Sequence, residues 1–399
     1  MIALLAFGVL LLGAVLLSEL AEQSVFSLSV LFLVGGVVVG MSGLLAVSPQ
    51  DPALGQVFEL ALFAVLFTDG MHFSLDELRA TWRLPGRALL FGMPLTLLAI
   101  TALAHWLVGL TWMESLLVGS VLSPTDPVFA SAIVRRPEVP FRLRQLLNVE
   151  SGLNDGLALP AVLVTLHVLE NTEEPLLPVL GDLAVGFLLG GAVAYLAVTL
   201  VRHTKLSPSG SLKPLYGFAT AVVIFALAQL LHGNLFLAGF AGGTTVATAG
   251  PAIAAAFKPF GELVGEVLKL AALLIFGSLL SIDLLVTTPW TVYLFALLTL
   301  LAARPLVIVV VLLGSELSWQ ERAVAAWFGP KGFASIFYGL LIVQLQIPNG
   351  LYLAEIVAVT IAISIILHSS TDVVVARWLK GQLAPLEPVP PPGHANAAE

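Results

Sequence analysis

Cysteine is missing from all 399 residues, which removes disulfide frameworks, thiol catalysis, Cys-ligated zinc and iron–sulfur clusters. Charge is scarce too: Asp, Glu, Lys and Arg make up 11% of the chain, against about 25% in a soluble domain. So little charge cannot cover a soluble surface of this size. Basic residues are the scarcer sign, 17 against 25 acidic, and the net charge is −8 with no basic domain standing apart. That excludes a nucleic-acid binder. The histidines lack metal-ligand spacing. His72, His105, His167 and His232 are expected to pack or to sit at interfaces, and His203, in a loop, is a weak candidate pH sensor. No basic segment precedes the first apolar run, which therefore reads as a first span and not a cleaved signal peptide.

What is there instead is apolar sequence: 58% hydrophobic residues and a mean hydropathy of +1.01. Thirteen runs are long enough to cross roughly 30 Å of hydrocarbon. They lie near 2–18, 25–46, 55–71, 86–109, 112–134, 146–169, 178–201, 214–232, 234–256, 262–285, 289–313, 321–345 and 350–376. The expectation is an all-α polytopic membrane protein over residues 1–381, embedded in the lipid bilayer, with a disordered Pro-rich tail at 382–399. Basic residues orient it. With the N-terminus outside, every loop on the inner side carries Lys or Arg, from Arg79 to Lys380 and including Arg135, Arg136, Arg142 and Lys205. The opposite loops carry none, and hold Asp51, Glu170, Glu173 and Glu174. The C-terminus then faces the cytoplasm, in a cell (inner) membrane. Only Lys269, Arg304 and Lys331 fall inside spans. Spans one to six and eight to thirteen form two inverted six-helix repeats, with span seven (178–201) reversing the second set.

Span five contains Ser123-Pro124-Thr125-Asp126-Pro127, and span twelve contains Gly329-Pro330-Lys331-Gly332. Proline removes a helical donor and biases the residue before it away from the α region, so both helices should unwind mid-membrane. They are fifth members of their repeats, and paired interruptions at corresponding places point to a transport site. Asp126 and Lys331 have signs that can neutralise the dipole ends a break exposes. A plain proline kink is the rival explanation for either helix alone.

Span six opens Asn148-Val149-Glu150-Ser151-Gly152-Leu153-Asn154-Asp155-Gly156. Helical spacing puts Glu150 with Asn154 and Ser151 with Asp155 on adjacent stripes. An uncompensated charge there costs at least about 2.5–3.5 kcal/mol. Arg304 cannot shed its proton and needs a permanent anion, so it is paired with Glu150. That leaves Asp155 free to titrate: it can hold a proton or a small cation, and not both. Ser151, Thr125 and Asp126 add hard oxygens suited to an alkali cation. Among weaker candidates, Asp69 either reaches the cavity or is a solvated helix end. Glu266 and Lys269, at i and i+3, are expected to pair, with Glu262 nearby. Glu59 and Glu355 lie in spans. Gly36/Gly40 and Gly186/Gly190 are small-xxx-small pairs that favour close helix packing over dimerisation.

At these four elements — the double-proline break, Glu150 to Gly156, Arg304-Pro305 and Gly329 to Gly332 — the chain resembles the monovalent cation/proton antiporters of the sodium/proton exchanger branch. The resemblance implies a thirteen-helix inverted repeat with two crossed discontinuous helices. A mobile core would use spans near 86–169 and 289–376, a scaffold forming a homodimer would use spans near 2–71 and 214–285, and 178–201 would link them. It gives Asp155 the cation- and proton-binding role, with Thr125, Asp126 and Ser151 as ligands of Na+. Glu150 and Arg304 become a structural pair held by Asn154. The electrogenic branch has an aspartate where Asn154 stands, so one cation per proton is implied. Family members usually have Arg at the position of Lys331. The expected function is Na+ (or Li+)/H+ antiport with no cofactor beyond the transported ions. The alternatives are K+/H+ antiport and, behind it, a sodium-coupled organic anion symporter. A channel lacks its carbonyl filter or acidic ring here, and an enzyme such as an intramembrane hydrolase lacks any catalytic spacing.

Overall fold

A computed structural model of the chain describes residues 2–16, 27–43, 47–126, 139–170, 175–203 and 208–382. Pro127, Arg135, Arg136, Glu173, Glu174, Lys205 and the tail from 383 lie outside the described residues. The described residues are all-helical, with no strand. The principal helices are α1 (Ile2–Leu16), α2 (Leu28–Met41), α3 (Pro52–Gly70), α4 (Arg83–Val108), α5 (Trp112–Leu122), α6 (Phe141–Leu169) and α7 (Leu177–His203). After them come α8 (Lys213–Leu230), α9 (Leu235–Ala249), α10 (Pro251–Leu279), α11 (Trp290–Val311), α12 (Trp319–Trp327), α13 (Phe333–Gln344) and α14 (Gly350–Gln382).

Every expected apolar run overlaps at least one of these helices; 321–345 overlaps α12 and α13, and 234–256 overlaps α9 and the start of α10. Among the described residues, seven helical stretches are long and apolar enough to cross a bilayer by length and composition: α3, α4, α6, α7, a stretch ending in α8, α11 and the first part of α14. Several boundaries differ from expectation, among them the start of α6 at Phe141 against 146. The gap placed at 257–261 is helical, because α10 already starts at Pro251 and runs through Pro259. Proline at its first turn is favourable, since that N–H has no intrahelical partner. Large apolar side chains such as Leu188 and Leu196 on α7 and Val222 on α8 point outward, as a lipid-facing surface requires.

Glycine sets the closest approaches. A Cβ at Gly190 on α7 would lie 2.0 Å from the Ala238 carbonyl oxygen of α9, and one at Gly36 on α2 would lie 2.2 Å from the Leu274 carbonyl oxygen of α10. Both glycine motifs therefore pack backbone on backbone within the chain.

The two halves share local construction around their breaks. α4 and α11 each contain a π-helical turn, Ala88–Gly92 and Thr299–Ala303, just before Pro94 and Pro305. α5 and α12 each open with a full capping box, Thr111 with Glu114 and Ser318 with Glu321. In each box the hydroxyl accepts from the third backbone N–H and the carboxylate accepts from the cap's own N–H. In sequence these are Thr-Trp-Met-Glu and Ser-Trp-Gln-Glu, each followed by an apolar turn and then the break.

Candidate functional site

The unwound segments meet each other. α5 ends at Leu122 and α12 at Trp327, while α13 begins at Phe333. Between them the backbone N–H of Asp126 donates to the Pro330 carbonyl at 3.0 Å. Away from water each broken helix end needs a partner for its orphan groups. The Val121 carbonyl, in the last turn of α5, accepts from Ser335 Oγ of α13 at 2.7 Å. The Pro124 carbonyl faces Lys331 Nζ at 3.5 Å. The N–H of Phe333, first residue of α13, donates to Asp126 Oδ2 at 3.3 Å. Each charge thus serves the other helix's break: the cation sits on a carbonyl-bearing end and the anion on an amide-bearing end, as the dipoles demand.

Both glycines of the second break have a side chain lying on them. A Cβ at Gly332 would be 2.0 Å from Asp126 Cβ, and one at Gly329 would be 2.3 Å from Arg304 Cζ. The Lys331 N–H donates to Ser364 Oγ of α14 at 2.8 Å, and Ser364 is in turn 3.2 Å from the buried His368 Nδ1. Neither Ser364 nor His368 stood out in the sequence, because single polar residues in an apolar helix carry no spacing signal.

α6 supplies the next wall. Thr125 Oγ1 lies 3.2 Å from Ser151 Oγ and accepts from Asn154 Nδ2 at 2.8 Å. Asn154 therefore supports Thr125 and not, as expected, the Glu150–Arg304 pair. Its amide points across to the unwound strand, and its own Oδ1 is buried without a hydrogen bond among the described residues. Arg304 Nη2 donates to Glu150 Oε1 at 2.7 Å, while Nη1 reaches the Ala325 and Ala326 carbonyls at 3.2 and 3.1 Å. One guanidinium thus joins α6, α11 and the orphan end of α12.

Asp155 is 6% exposed, and among the described residues its carboxylate has no hydrogen bond or ion pair. Only its backbone carbonyl is engaged, by the Tyr338 hydroxyl at 3.1 Å. Asp126, Asp69, Lys269 and Lys331 all act on it electrostatically. Asp69, at the end of α3, lies within reach of Lys269, His72, Asp126 and Glu262. Sequence reasoning misplaced Lys269. Its amine donates to Asp126 Oδ1 at 3.4 Å, and the carboxylates around it are Asp126, Asp69 and Asp155, not its helical neighbour Glu266. Helical spacing favours the i, i+3 pair, but α10 turns Lys269 inward to the crossing, where it is 7% exposed.

Also missed was Glu321, fully buried and held by Arg142 through a two-pronged bond of 2.9 and 2.8 Å. Its capping-box spacing was the available signal. Apart from the crossing, an apolar cavity of about 140 Å³ lies between α3, α10, α13 and α14. It contains Glu355, bonded by Thr288, and no basic side chain. Chemically, the crossing gathers one carboxylate without a partner among the described residues, two hydroxyls, a second carboxylate and two amines in a buried setting, which suits a small desolvated cation or a proton.

Residues 5–378 match the family described as sodium/hydrogen exchanger, transmembrane. The chain is 25% identical over 387 residues to the K(+)/H(+) antiporter NhaP of Alkalimonas amylolytica, covering 95% of this chain and 67% of that protein. It is 24% identical over 387 residues to the K(+)/H(+) antiporter NhaP2 of Shewanella baltica (strain OS223), covering 94% and 66%. The chain thus spans about two thirds of the length of these curated relatives. Its fold is similar to that of the sodium proton antiporter MjNhaP1 from Methanocaldococcus jannaschii at pH 8, with a TM-score of 0.77 and 18% identity over 96% of this chain and 100% of that one.

Proposed function

The chain belongs to the sodium/hydrogen exchanger family, and we propose that it exchanges Na+ (or Li+) for H+, one for one, by alternating access at Asp155. The observation that carries this reading is a buried carboxylate without a partner among the described residues, beside Thr125, Ser151 and Asp126. Facing one side, Asp155 releases its proton and takes the cation. The core, near 86–169 and 289–376, then moves against a scaffold near 2–71 and 214–285. A bare carboxylate crosses only at high cost, and that cost couples the two fluxes. Glu150 and Arg304 neutralise each other and hold α6, α11 and α12 together. With Asn154 in place of a second acid, no net charge moves. The protein works as a homodimer in the inner membrane, with its N-terminus outside and its C-terminus in the cytoplasm.

A K+/H+ reading of the same site is favoured by the names of the curated relatives. The organic anion alternative needs a polar, substrate-sized pocket, and the cavity between α3, α10, α13 and α14 is about 140 Å³ and lined by apolar side chains apart from Glu355. The deciding experiment is proton flux in proteoliposomes against each alkali cation, with membrane potential clamped and free. Na+ or Li+ alone should drive a flux indifferent to voltage. A K+ response changes the cargo, and voltage dependence overturns the stoichiometry. Calorimetry adds a second check, since cation uptake that releases no proton ends the competition at Asp155.

A further inference from the structure

Lys269 is a buried cation that the exchange cycle above does not use. Its ammonium comes from α10, on the scaffold side of the proposed division, and contacts Asp126 in the unwound segment after α5, on the core side. Three carboxylates (Asp69, Asp126, Asp155) and two amines (Lys269, Lys331) gather there: Lys269 acts on all three carboxylates, and Lys331 acts on Asp155 and also lies beside the self-neutralising Glu150–Arg304 pair. With all five ionised, the cluster carries one uncompensated negative charge. One monovalent cation or one proton cancels it.

The contact is built to be exchanged. At 3.4 Å it is longer than the roughly 2.7–2.9 Å of a tight charge-assisted bond. The partner is a compact ammonium on a flexible stem, not a fork locked at several acceptors. Asp126 Oδ2 accepts from the Phe333 N–H and Oδ1 from Lys269, so a cation that binds this carboxylate comes up against the ammonium. A cation bound between Asp155, Ser151, Thr125 and Asp126 brings a like charge against the ammonium, and both cannot stay close in a dry site.

We propose that Lys269 is an internal competitor for the transported cation: its ammonium holds Asp126 while the site is empty and leaves when the cation binds. Lys269 thereby sets the apparent affinity of the site. Loading also frees α10 from the crossing and releases the contact that bridges the two moving parts. The proposal rests on the exchange reading and adds to it a residue that sets cation affinity.

The test measures cation-coupled proton flux for wild type, Lys269→Gln and Lys269→Arg in proteoliposomes, with Na+ and with K+, at a pH alkaline enough to keep protons from competing. Calorimetric Kd values are taken on the same purified proteins. Lys269→Gln should lower KM and Kd by about ten-fold, and Lys269→Arg, which restores the charge, should bring them back towards wild type. A lysine that only helps folding would lower yield and maximal rate and leave KM in place; KM and Kd within about two-fold of wild type in Lys269→Gln overturn the proposal. Should Lys269→Gln fail to fold, the wild type supplies the readout. The ¹⁵N signal of the Lys269 amine, identified by its loss in Lys269→Arg, should move during cation titration with the midpoint of binding; a stationary signal overturns the proposal. Exchange that persists with KM unmoved removes only the role of Lys269, whereas wild type without cation-coupled proton flux removes the exchange reading itself.

Discussion

Arg304 and Lys269 each neutralise a buried carboxylate on another segment of the chain, yet the two pairs are built differently. The guanidinium of Arg304 holds Glu150 at 2.7 Å and also spans two backbone carbonyls at the end of α12. The ammonium of Lys269 touches Asp126 at 3.4 Å, with two further carboxylates in reach. A planar fork with several fixed acceptors is a joint: moving it strands a charge and two carbonyls at once. A single flexible ammonium among competing acids is a contact that another cation can replace. A permanent pair and an exchangeable pair thus serve one crossing, and residue type decides which is which.

The comparison breaks first at Asp155, the carboxylate that belongs to neither pair. Asp155→Asn should abolish exchange while the protein folds and melts like wild type; surviving exchange in proteoliposomes would take Asp155 out of the mechanism. Next comes the joint. Arg304→Ala leaves Glu150 buried without its counter-ion and should cost about 3–5 kcal/mol, read as a large drop in melting temperature and folded yield. Arg304→Lys should recover only part of it, because one ammonium cannot span all three acceptors. Gly332→Ala sharpens the contrast from the exchangeable side: its methyl would overlap Asp126, costing about 1–3 kcal/mol, and cation KM should rise. Arg142→Ala probes an intermediate pair. Glu321 would keep the Ser318 N–H at 2.7 Å, and Arg142 is half exposed, so the loss should be about 1 kcal/mol after solvent screening. Smallest is Thr111→Ala, which removes a helix cap at the start of α5 for about 1 kcal/mol or less of stability with KM unchanged.

Much of the crossing was legible in advance because the membrane penalises exceptions. Pro124 and Pro330, each close to a second breaker (Pro127 and Gly329), mark the breaks, whereas the isolated Pro160 and Pro259 sit inside continuous helices. Glu150, Asp155 and Arg304 stand out because a charge in apolar sequence needs a reason. The doubled Thr-Trp-Met-Glu and Ser-Trp-Gln-Glu starts were legible as well, although only the paired capping boxes make their correspondence plain. Ser364, Ser335 and His368 gave no such signal. Ser364 and Ser335 satisfy backbone groups that become orphans only once the helices are known to break and cross, and His368 lies behind Ser364. Asn154 was placed with Glu150 by helical spacing, and the fold aimed its amide at Thr125 instead.

The sequence by itself determined an all-helical membrane chain, the positions of its two breaks and the charges that must be answered within it, because hydrocarbon tolerates neither open backbone nor lone ions. Only the tertiary structure decided who answers whom. Spacing along α10 offers Lys269 the nearby Glu266, yet its partner is Asp126, 143 residues away. Spacing along one helix ranks neighbours on that helix alone, while a buried amine takes the carboxylate that helix packing brings to it.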